Sequence, residues 1–592
     1  MSADKAKAPA DKTKAPADKA KAPKANRLKV VLCWHMHQPD YQDRVSGEYE
    51  LPWVYLHGIK DYVDMAVHLE DQPKARAVVN FAPILLEQLT DYAEQVRAFL
   101  EHGTPLRDRL LAALGGESFP AEAVVRQGLI RACLRANDKH LVNRFKPFHR
   151  LVELARSFEE HPEELIYLGD QYLADLAVWY HLAWMGESVR TRDARIRALQ
   201  DKAMGYSLAD RRQLLGIIGD LLAGLIPRYR RLAETGRVEL STSPYAHPIV
   251  PLLLDIGSAR EAMPEMVLPE LAAYPGGRER AVWQIRRGLE VFKEHFGFLP
   301  VGCWPSEGSV SEATLKLLEQ EGFRWVASGQ EVLHNSLSAA ASGHQATLPA
   351  QWPHVPYRFN GGKLWCFFRD NGLSDLIGFS YADWHADDAV ANLVHHLEQI
   401  ADLGDGEKDR VVSIILDGEN AWEYYPFNGC YFLTSLYKQL AEHPRLELTT
   451  FSACMQDAVK PRILSKLVAG SWVYGTFSTW IGDRDKNRGW DMLGDAKRAF
   501  DLAVAGGRLQ GDELAKAEKQ LAICEGSDWF WWFGDYNPGQ AVGDFERLYR
   551  RQLCHLYHLI DTEPPQYLSQ VISRGSDSSG PAHGGVMKHS AH

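Results

Sequence analysis

Residues 411–422 have the sequence VVSIILDGENAW, in which six mostly apolar residues lead directly to Asp417 and Glu419. An apolar run this short and this continuous is typical of a parallel strand buried on both faces. The same pattern, a run of five to seven residues followed by polar or aromatic residues and usually a helical stretch, recurs along the chain. The runs are Leu28–Trp34, Ala77–Phe81, Val238–Thr242, Leu299–Trp304, Arg324–Ser328, Leu364–Arg369 and Val411–Leu416.

Repeated alternation of strand and helix predicts either a (β/α) barrel or a doubly wound sheet. Side chains that are capable of catalysis or binding come just after many different runs. The active site of a barrel gathers at that end of its strands. An open sheet would gather such residues mainly at one switch point, so we favour the barrel. These residues are His35, His37, Asn80, His247, Glu307, Asp370 and Asp417.

Two stretches complicate a simple barrel. Residues 85–235 have helical patterns almost throughout, and residues 460–571 are again helical and rich in tryptophan. We therefore predict a catalytic barrel over residues 27–459, with a helical insertion at about 85–235, and a C-terminal helical module over 460–572. Residues 1–26 carry three seven-residue repeats of Ala, Asp, Lys and Pro, and 573–592 are rich in Gly, Ser and His. Both ends have too few apolar residues to form a core and are predicted to be disordered.

Composition narrows the class of protein. The chain has 592 residues, 45% of them hydrophobic, and a formal net charge of −11 with mixed signs, so neither nucleic acid nor an anionic membrane is an expected partner. Eight scattered cysteines form no CxxC pair, and no apolar stretch resembles a signal peptide or a membrane span. These features predict a cytoplasmic protein. Seventeen tryptophans, several in the stretch DWFWWFGD at 528–535, suit a groove for sugar rings.

Two carboxylates are the strongest catalytic candidates. Glu307 lies in the segment WPSEG at 304–308, just past a predicted strand, and Asp417 ends the last predicted strand. Glycoside hydrolysis needs such a pair, and in retaining enzymes the two carboxyl groups are about 5–5.5 Å apart. An alternative for Glu307 is a structural role at the N-terminus of the helix after Ser309.

Polar and aromatic residues around these carboxylates suggest a binding site. His35 and His37, at i and i+2 after the first strand, project to one side and could bind one metal ion or one substrate. Weaker signals come from Tyr245 and His247 in the segment 236–248, and from Trp480 and Asp483 in the segment 476–485.

Taken together and in this order, the five segments resemble those of glycoside hydrolase family 57. The resemblance runs from about Lys29 to Ile572. It implies a (β/α)7 barrel with a helical C-terminal module and a retaining mechanism, with Glu307 as nucleophile and Asp417 as acid/base. The segment 51–57 (LPWVYLH) and the form Asp417-Gly418-Glu419-Asn420 look most like the α-amylase and amylopullulanase branch. The predicted substrate-binding residues are His35, His37, Gln38, Tyr245, His247, Trp304, Glu419, Asn420, Trp422, Trp480 and Asp483.

The functional hypothesis is a retaining hydrolase of α-1,4-glucans such as glycogen, starch or maltodextrin, with α-1,6 activity left open. A 4-α-glucanotransferase or branching-type transglycosylase of the same family is one alternative. A second is a metal-dependent, amidohydrolase-like barrel, because His35, His37, a later His and Asp417 are of ligand type. A third is a non-catalytic glucan-binding protein. We expect no cofactor and no metal, and the sequence does not predict the oligomeric state.

Overall fold

The computed structural model describes residues 27–160, 168–341, 352–403, 409–457 and 459–576. The predicted disordered ends, 1–26 and 573–592, lie outside these residues except for 573–576. Those four residues are attached to the preceding helical region, since the Ser573 hydroxyl accepts a hydrogen bond from the Gly534 backbone N–H at 2.9 Å.

The described residues contain ten strands, all in one sheet. They are β1 (Leu28–Met36), β2 (Ala77–Phe81), β3 (Val238–Thr242), β4 (Gly302–Cys303), β5 (Trp325–Gly329), β6 (Tyr357–Phe359), β7 (Trp365–Arg369), β8 (Val411–Asp417), β9 (Leu446–Thr449) and β10 (Arg462–Leu464). Seven of them pair in parallel and close a barrel in the order β1-β2-β3-β4-β5-β7-β8-β1. The predicted (β/α)7 barrel is confirmed, and its seven strands are the seven apolar runs.

The other three strands extend the barrel at its edges. β9 pairs with the first half of β1, while β6 pairs antiparallel with β7 and carries β10 on its far side. Each has only three or four residues, too few for a recognisable apolar run. The fourth barrel strand is shorter than the predicted run Leu299–Trp304, because Leu299 and Val301 face outward and only Gly302 and Cys303 pair as a strand.

Helices connect the strands and cover the barrel. In the described residues the α-helices are α1 (Trp53–His57), α2 (Val63–Asp71), α3 (Pro83–His102), α4 (Arg109–Gly115), α5 (Ala123–Cys133), α6 (Lys146–Glu160), α7 (Asp170–Trp184), α8 (Glu187–Arg192), α9 (Ala194–Lys202), α10 (Leu208–Glu234), α11 (Val250–Leu254), α12 (Ala259–Ala262), α13 (Gly277–Phe296), α14 (Glu312–Gln320), α15 (Gln330–Ala340), α16 (Asn371–Asp375), α17 (Ala386–Asp402), α18 (Cys430–Glu442), α19 (Phe451–Gln456), α20 (Arg484–Ala505), α21 (Gly511–Cys524), α22 (Ser527–Trp532) and α23 (Gly539–Leu559). Short π-helices span Gly58–Tyr62, Asp138–Val142 and Leu376–Ser380, and 3₁₀ turns span Ile256–Ser258, Ser306–Gly308, Trp352–His354, Tyr381–Asp383, Trp422–Tyr424, Pro426–Gly429 and Gln566–Ser569.

In the described residues, eight α-helices, α3 to α10, lie between β2 and β3, where the sequence predicts mostly helical structure. Helix α3 begins with a proline at its first position and ends at Gly103, whose φ of 71° is the left-handed conformation that ends helices without steric cost. Helix α10 begins with a capping box between Ser207 and Asp210. These local signals place the boundaries of the two longest helices of this region, which pack against each other.

One hydrophobic cluster extends from the barrel strands to helices α20–α23. Trp34 on β1 packs edge-on against Trp422, with ring centres 5.7 Å apart, and its indole N–H donates to the hydroxyl of Tyr437 at 2.8 Å. Trp529 on α22 packs against Tyr549 on α23 at 5.9 Å. Helices of the C-terminal region therefore share an apolar core with the barrel. None of the helices in the described ranges is both long and apolar enough to cross a membrane.

The tight contact at Gly302 leads to a stability prediction. A Cβ atom added there would lie 1.7 Å from Cε2 of the buried Trp325, whose indole N–H is held by Glu239 at 2.6 Å. Because the ring cannot move aside freely, we expect Gly302→Ala to destabilise the fold by about 1–3 kcal/mol and to lower the apparent melting temperature. Gly224→Ala on helix α10 is the matched control, since nothing lies within 4 Å of its added Cβ. Equal melting temperatures for the two variants would contradict the prediction.

Candidate active site

The C-terminal ends of the barrel strands bring several of the predicted catalytic and binding residues together. The strand register places His35 of β1 between Asn80 of β2 and Asp417 of β8, and Asn80 lies in turn opposite Ser241 of β3. Glu307 follows β4, three strands from β8 in a barrel of seven, so the two carboxylates approach the mouth from opposite sides. Because parallel strands present their C-terminal ends at one face of a barrel, these side chains gather there.

Glu307 has an unusual backbone conformation and a fixed side chain. Its φ of 56° and ψ of 28° are left-handed, which costs a residue other than glycine of order 1–3 kcal/mol. The indole N–H of Trp472 donates to Oε2 at 3.0 Å, and the Trp472 backbone N–H donates to the Glu307 carbonyl at 3.1 Å. The alternative of a helix N-terminal role is wrong, because helix α14 begins at Glu312 and is capped by Ser311.

Asp417 is the last residue of β8 and is partly accessible. Burial raises the pKa of its carboxyl group, and this effect is opposed by the Asn420 side chain, which donates to Oδ2 at 2.7 Å. The next residue, Gly418, donates its backbone N–H to the His35 carbonyl at 2.7 Å, and a Cβ there would lie 2.1 Å from the sulfur of Met36. A larger residue at this position would therefore require the buried Met36 side chain to move.

Glu419 lies behind Asp417 and is buried. Its Oε1 accepts hydrogen bonds from the backbone N–H of His37 at 3.4 Å and from the side chain of Gln38 at 3.2 Å. Burial, followed by the nearby Asp417 and Asp61, raises the pKa of Glu419 well above its usual range. Glu419 thus holds the loop that carries His37 and Gln38.

Three histidines form a stack beside Glu307. The ring centres of His37 and His247 are 3.9 Å apart, and that of His35 lies 5.0 Å from His247 and 5.6 Å from His37, with all planes within 22°. His247 Nδ1 is 3.7 Å from Glu307 Oε1. Burial lowers the pKa of His35 to about 3 and that of His247 well below its usual value, and neighbouring histidines add to both shifts. His35 and His247 are therefore neutral at neutral pH.

Several buried polar atoms near this stack have no hydrogen-bond partner in the described parts of the chain: His35 Nε2, His37 Nδ1, His247 Nε2 and Trp304 Nε1. An unpaired buried polar group costs about 1–3 kcal/mol, so a cluster of four is unfavourable without a ligand. The Trp304 ring centre lies 6.2 Å from that of His35 and 5.3 Å from that of Trp472. The unpaired atoms are suited to the hydroxyl groups of a polar ligand such as a sugar.

Other predicted binding residues have structural partners in the fold. Tyr245 is buried and donates its hydroxyl to Glu87, while Trp422 is buried and donates its indole N–H to the Gly418 carbonyl. Trp480 packs against Trp531, and Asp483 caps helix α20. Asp370, another residue at a strand end, caps helix α16 and pairs with His354 at 2.7 Å. Substrate contact by the first four stays a prediction.

Two residues of the site were not among the predicted ones. Both oxygens of Asp528, on helix α22, lie within hydrogen-bond distance of His37 Nε2, at 2.9 and 3.0 Å. The acid in the tryptophan-rich segment 528–535 was a signal that could have identified Asp528. For Trp472, which binds Glu307, we find no comparable signal.

His37, His247 and Asp528 also form a set of metal-ligand type, with one atom of each lying within 4.8 Å of the others. The in-plane lone pairs of His37 and His247 cannot converge on one ion, because their rings are stacked at 3.9 Å with planes only 22° apart. His37 Nε2 is also already bound to the Asp528 carboxylate. The geometry fits a hydrogen-bonded cluster better than a metal centre.

Comparison with known proteins identifies the family. Solved structures with the same fold include a GH57 branching enzyme from Thermococcus kodakaraensis (17% identity, TM-score 0.56, 90% of each chain covered) and a GH57-type branching enzyme from Pyrococcus horikoshii (16%, 0.53, 95% of this chain and 100% of that one). The alpha-amylase AmyC from Thermotoga maritima is also similar (14%, 0.51, 92% and 97%). At these identities the structures show the fold alone. A sequence model of glycosyl hydrolase family 57, however, matches residues 31–467, most of the chain, and this protein therefore belongs to glycosyl hydrolase family 57, as a glycosidase that acts on glucans.

Proposed function

We propose that this protein cleaves α-1,4-glucosidic bonds in glucans such as glycogen, starch or maltodextrin by a retaining mechanism, with Glu307 as nucleophile and Asp417 as general acid/base. The observation that carries the proposal is the placement of the two carboxylates at one barrel mouth. Glu307 is held there in a left-handed conformation by Trp472, and the pKa of Asp417 is raised by burial. One group is thus oriented as a nucleophile, and the other is biased toward the protonated form that an acid needs.

In the first step, a carboxylate oxygen of Glu307 attacks the anomeric carbon of the sugar. The bond from that carbon to the glycosidic oxygen breaks as Asp417 transfers its proton to the departing oxygen. In the second step, Asp417 takes a proton from water or a glucan hydroxyl, whose oxygen attacks the anomeric carbon. The ester to Glu307 then breaks, and both carboxyl groups return to their starting states.

The surrounding residues favour these steps. The Trp472 indole N–H donates to Oε2 of Glu307, which orients the carboxylate and stabilises its charge when it departs in the second step. Neutral His35 and His247 each have one ring nitrogen without a partner among the described residues, and these two nitrogens are available for hydrogen bonds with sugar hydroxyls. The buried indole of Trp304 supplies a further donor beside them, which has no partner in the described ranges.

Analysis of reaction products tests this proposal. We expect purified protein to convert maltoheptaose and amylose into shorter maltooligosaccharides, with the Glu307→Gln protein as the inactive control. Longer linear products would identify a 4-α-glucanotransferase, and new α-1,6 branches in amylose would identify a branching-type enzyme. Release of maltotriose from pullulan would show α-1,6 activity. Unchanged substrates in every reaction would contradict catalysis and favour a glucan-binding protein.

Treatment with a chelator tests the alternative that the protein is a metal-dependent hydrolase. Because the histidine lone pairs do not converge, we expect dialysis against EDTA to leave the rate of maltoheptaose cleavage unchanged. Loss of activity on dialysis and its return with Zn²⁺ would favour a metal-dependent hydrolase instead.

The cysteines support a reducing compartment, and we propose the cytoplasm. All eight are free thiols, and six of them are buried. Burial raises the pKa of several, including Cys33 and Cys303, so these thiols behave as inert apolar groups. Persistent disulfides are a feature of oxidising compartments, and none forms here among the described residues.

A further inference from the structure

Helix α22 begins with two residues that bind two of the stacked histidines. Asp528 contacts His37 Nε2 through both carboxylate oxygens, at 2.9 and 3.0 Å. Ser527 contacts His247 Nδ1 at 3.1 Å through its hydroxyl, and its backbone N–H donates to the His247 carbonyl at 3.0 Å. We propose that Asp528 and Ser527 are positioning residues that fix the orientation of His37 and His247 and the tautomer of His37. This inference rests on the proposed function for its consequence in catalysis.

The contact with Asp528 determines which nitrogen of His37 carries the proton. A carboxylate only accepts hydrogen bonds, so Nε2 of His37 must be the N–H donor to it. In a neutral imidazole the other nitrogen, Nδ1, is then a bare acceptor. Nδ1 is also the buried atom of His37 that has no partner in the part of the chain described. In the neutral ring, Asp528 therefore leaves Nδ1 of His37 as an acceptor for a hydroxyl group of the sugar.

His35 shows the same arrangement on another element. Its Nδ1 lies 2.7 Å from Oδ1 of Asn80, and its Nε2 has no partner among the residues described. The Asn80 amide is fixed, because its Nδ2 donates to Ser241 at 3.1 Å and its Oδ1 accepts from Ser243 at 3.0 Å. His35 thus donates through Nδ1 and leaves Nε2 as an acceptor. The stacked rings of His35 and His37 are each fixed by an acceptor on one nitrogen, which leaves the other nitrogen for a ligand.

His247 needs support because its backbone is strained. Its φ of 60° is left-handed, and its loop has no regular hydrogen-bonded partner strand. Gln284, fully buried on α13, accepts from the backbone N–H of Ala246 at 2.9 Å through its side chain and donates to Glu525 at 2.7 Å. Glu525 is fully buried too, and accepts from Arg280 at 2.7 Å.

Residues 525–528 therefore form one unit that binds the His247 loop and His37 at the same time. Glu525 holds the loop through Gln284, Ser527 holds His247 directly, and Asp528 holds His37. Helix α22 of the C-terminal region is therefore part of the active site, because it orients His37 and His247. In metal sites, loss of an outer group that orients a histidine typically costs 10- to 100-fold in affinity or activity, and we expect a loss of similar size here.

Two substitutions separate positioning from general stability. Asp528→Asn keeps an acceptor oxygen for His37, whereas Asp528→Leu has a similar size and no acceptor. We expect kcat/KM on maltoheptaose to fall about 10- to 100-fold in Asp528→Leu and to recover most of that loss in Asp528→Asn. Asp512→Leu, at an exposed position of α21, is the matched control and should keep full activity.

The double variant provides the sharpest measurement. If Asp528 acts only through His37, then Asp528→Leu should cause no further loss in a His37→Ala protein. Multiplicative losses in the double variant, or full activity in Asp528→Leu alone, would overturn the inference.

Nitrogen NMR of ¹⁵N-histidine-labelled protein tests the tautomer without any reaction. We expect one pair of ring-nitrogen signals, from Nδ1 and Nε2 of His37, to disappear in His37→Ala. In the wild-type protein this pair should show a proton on Nε2 at neutral pH. Asp528→Leu should shift this pair toward the other tautomer, while Asp512→Leu should not. An unchanged pair in Asp528→Leu would overturn the inference. If wild-type protein cleaves no glucan but the pair shifts as expected, the proposed function fails and the positioning role stands.

Discussion

Replacement of Glu307 by glutamine should lower kcat on maltoheptaose by at least about 10⁴-fold, because the amide cannot form the glycosyl ester. The fold should be retained. Glutamine has the same size as glutamate and keeps a side-chain oxygen. That oxygen can accept the hydrogen bond from the Trp472 indole N–H, which is 3.0 Å long with Glu307. The measurement is the initial rate of product formation together with the melting temperature of each protein.

A matched control for this substitution is Glu312→Gln in the first turn of helix α14. It removes one charge five residues away, and its ion-pair partner among the described residues is Lys316, at 4.0 Å. We expect its activity to equal that of wild type. A loss of less than tenfold in Glu307→Gln, with the control unchanged, would exclude Glu307 as the nucleophile.

Chemical rescue should then identify the role of Glu307 directly. Glu307→Gly is the best variant for rescue, since glycine adopts the left-handed φ of 56° without steric cost and leaves a space for a small anion. We expect azide to restore turnover and to form a β-glycosyl azide from the α-linked substrate, because it attacks from the side that the carboxylate occupied. Turnover without an azide product would contradict the assignment.

Much of the fold followed from local patterns. Each barrel strand is buried on both faces, so its run of apolar residues is visible without knowledge of its neighbours. Parallel pairing then brings strand ends to one face, which is why His35, Asn80 and Asp417 could be expected together. The short strands β6, β9 and β10 were missed because their pairing depends on distant partners rather than on a pattern of their own.

The limits of prediction at the site have the same physical cause. Asp528 contacts His37 from 491 residues away along the chain, and no local spacing encodes such a contact. Local sequence also does not determine which way a loop side chain points. Tyr245 and His247 are two residues apart in one loop, yet Tyr245 binds Glu87 on α3 whereas His247 stacks on His37.

Replacement of Asp417 by asparagine is expected to lower kcat on maltoheptaose by about 10²–10⁴-fold, the usual contribution of general acid–base catalysis. The decrease in the rate of the first step should be much smaller with a 2-chloro-4-nitrophenyl maltoside as substrate, because its leaving group departs without a proton. Glu307→Gln should show no such dependence on the leaving group. Equal losses on both substrates would contradict the role of Asp417 as the acid.

The pH dependence of kcat/KM gives an independent test of the same role. An acid is active when protonated, so activity should fall as pH rises through the pKa of Asp417, which burial has raised. The side chain of Asn420 donates to Asp417 Oδ2 at 2.7 Å and stabilises the charged form, which lowers that pKa. Asn420→Ala should therefore raise the pKa and move the alkaline limb of the profile to higher pH, whereas Asp417→Asn should abolish that limb. An alkaline limb that stays in place in both variants would assign it to another group, and the proton donor would have to be sought elsewhere in the site.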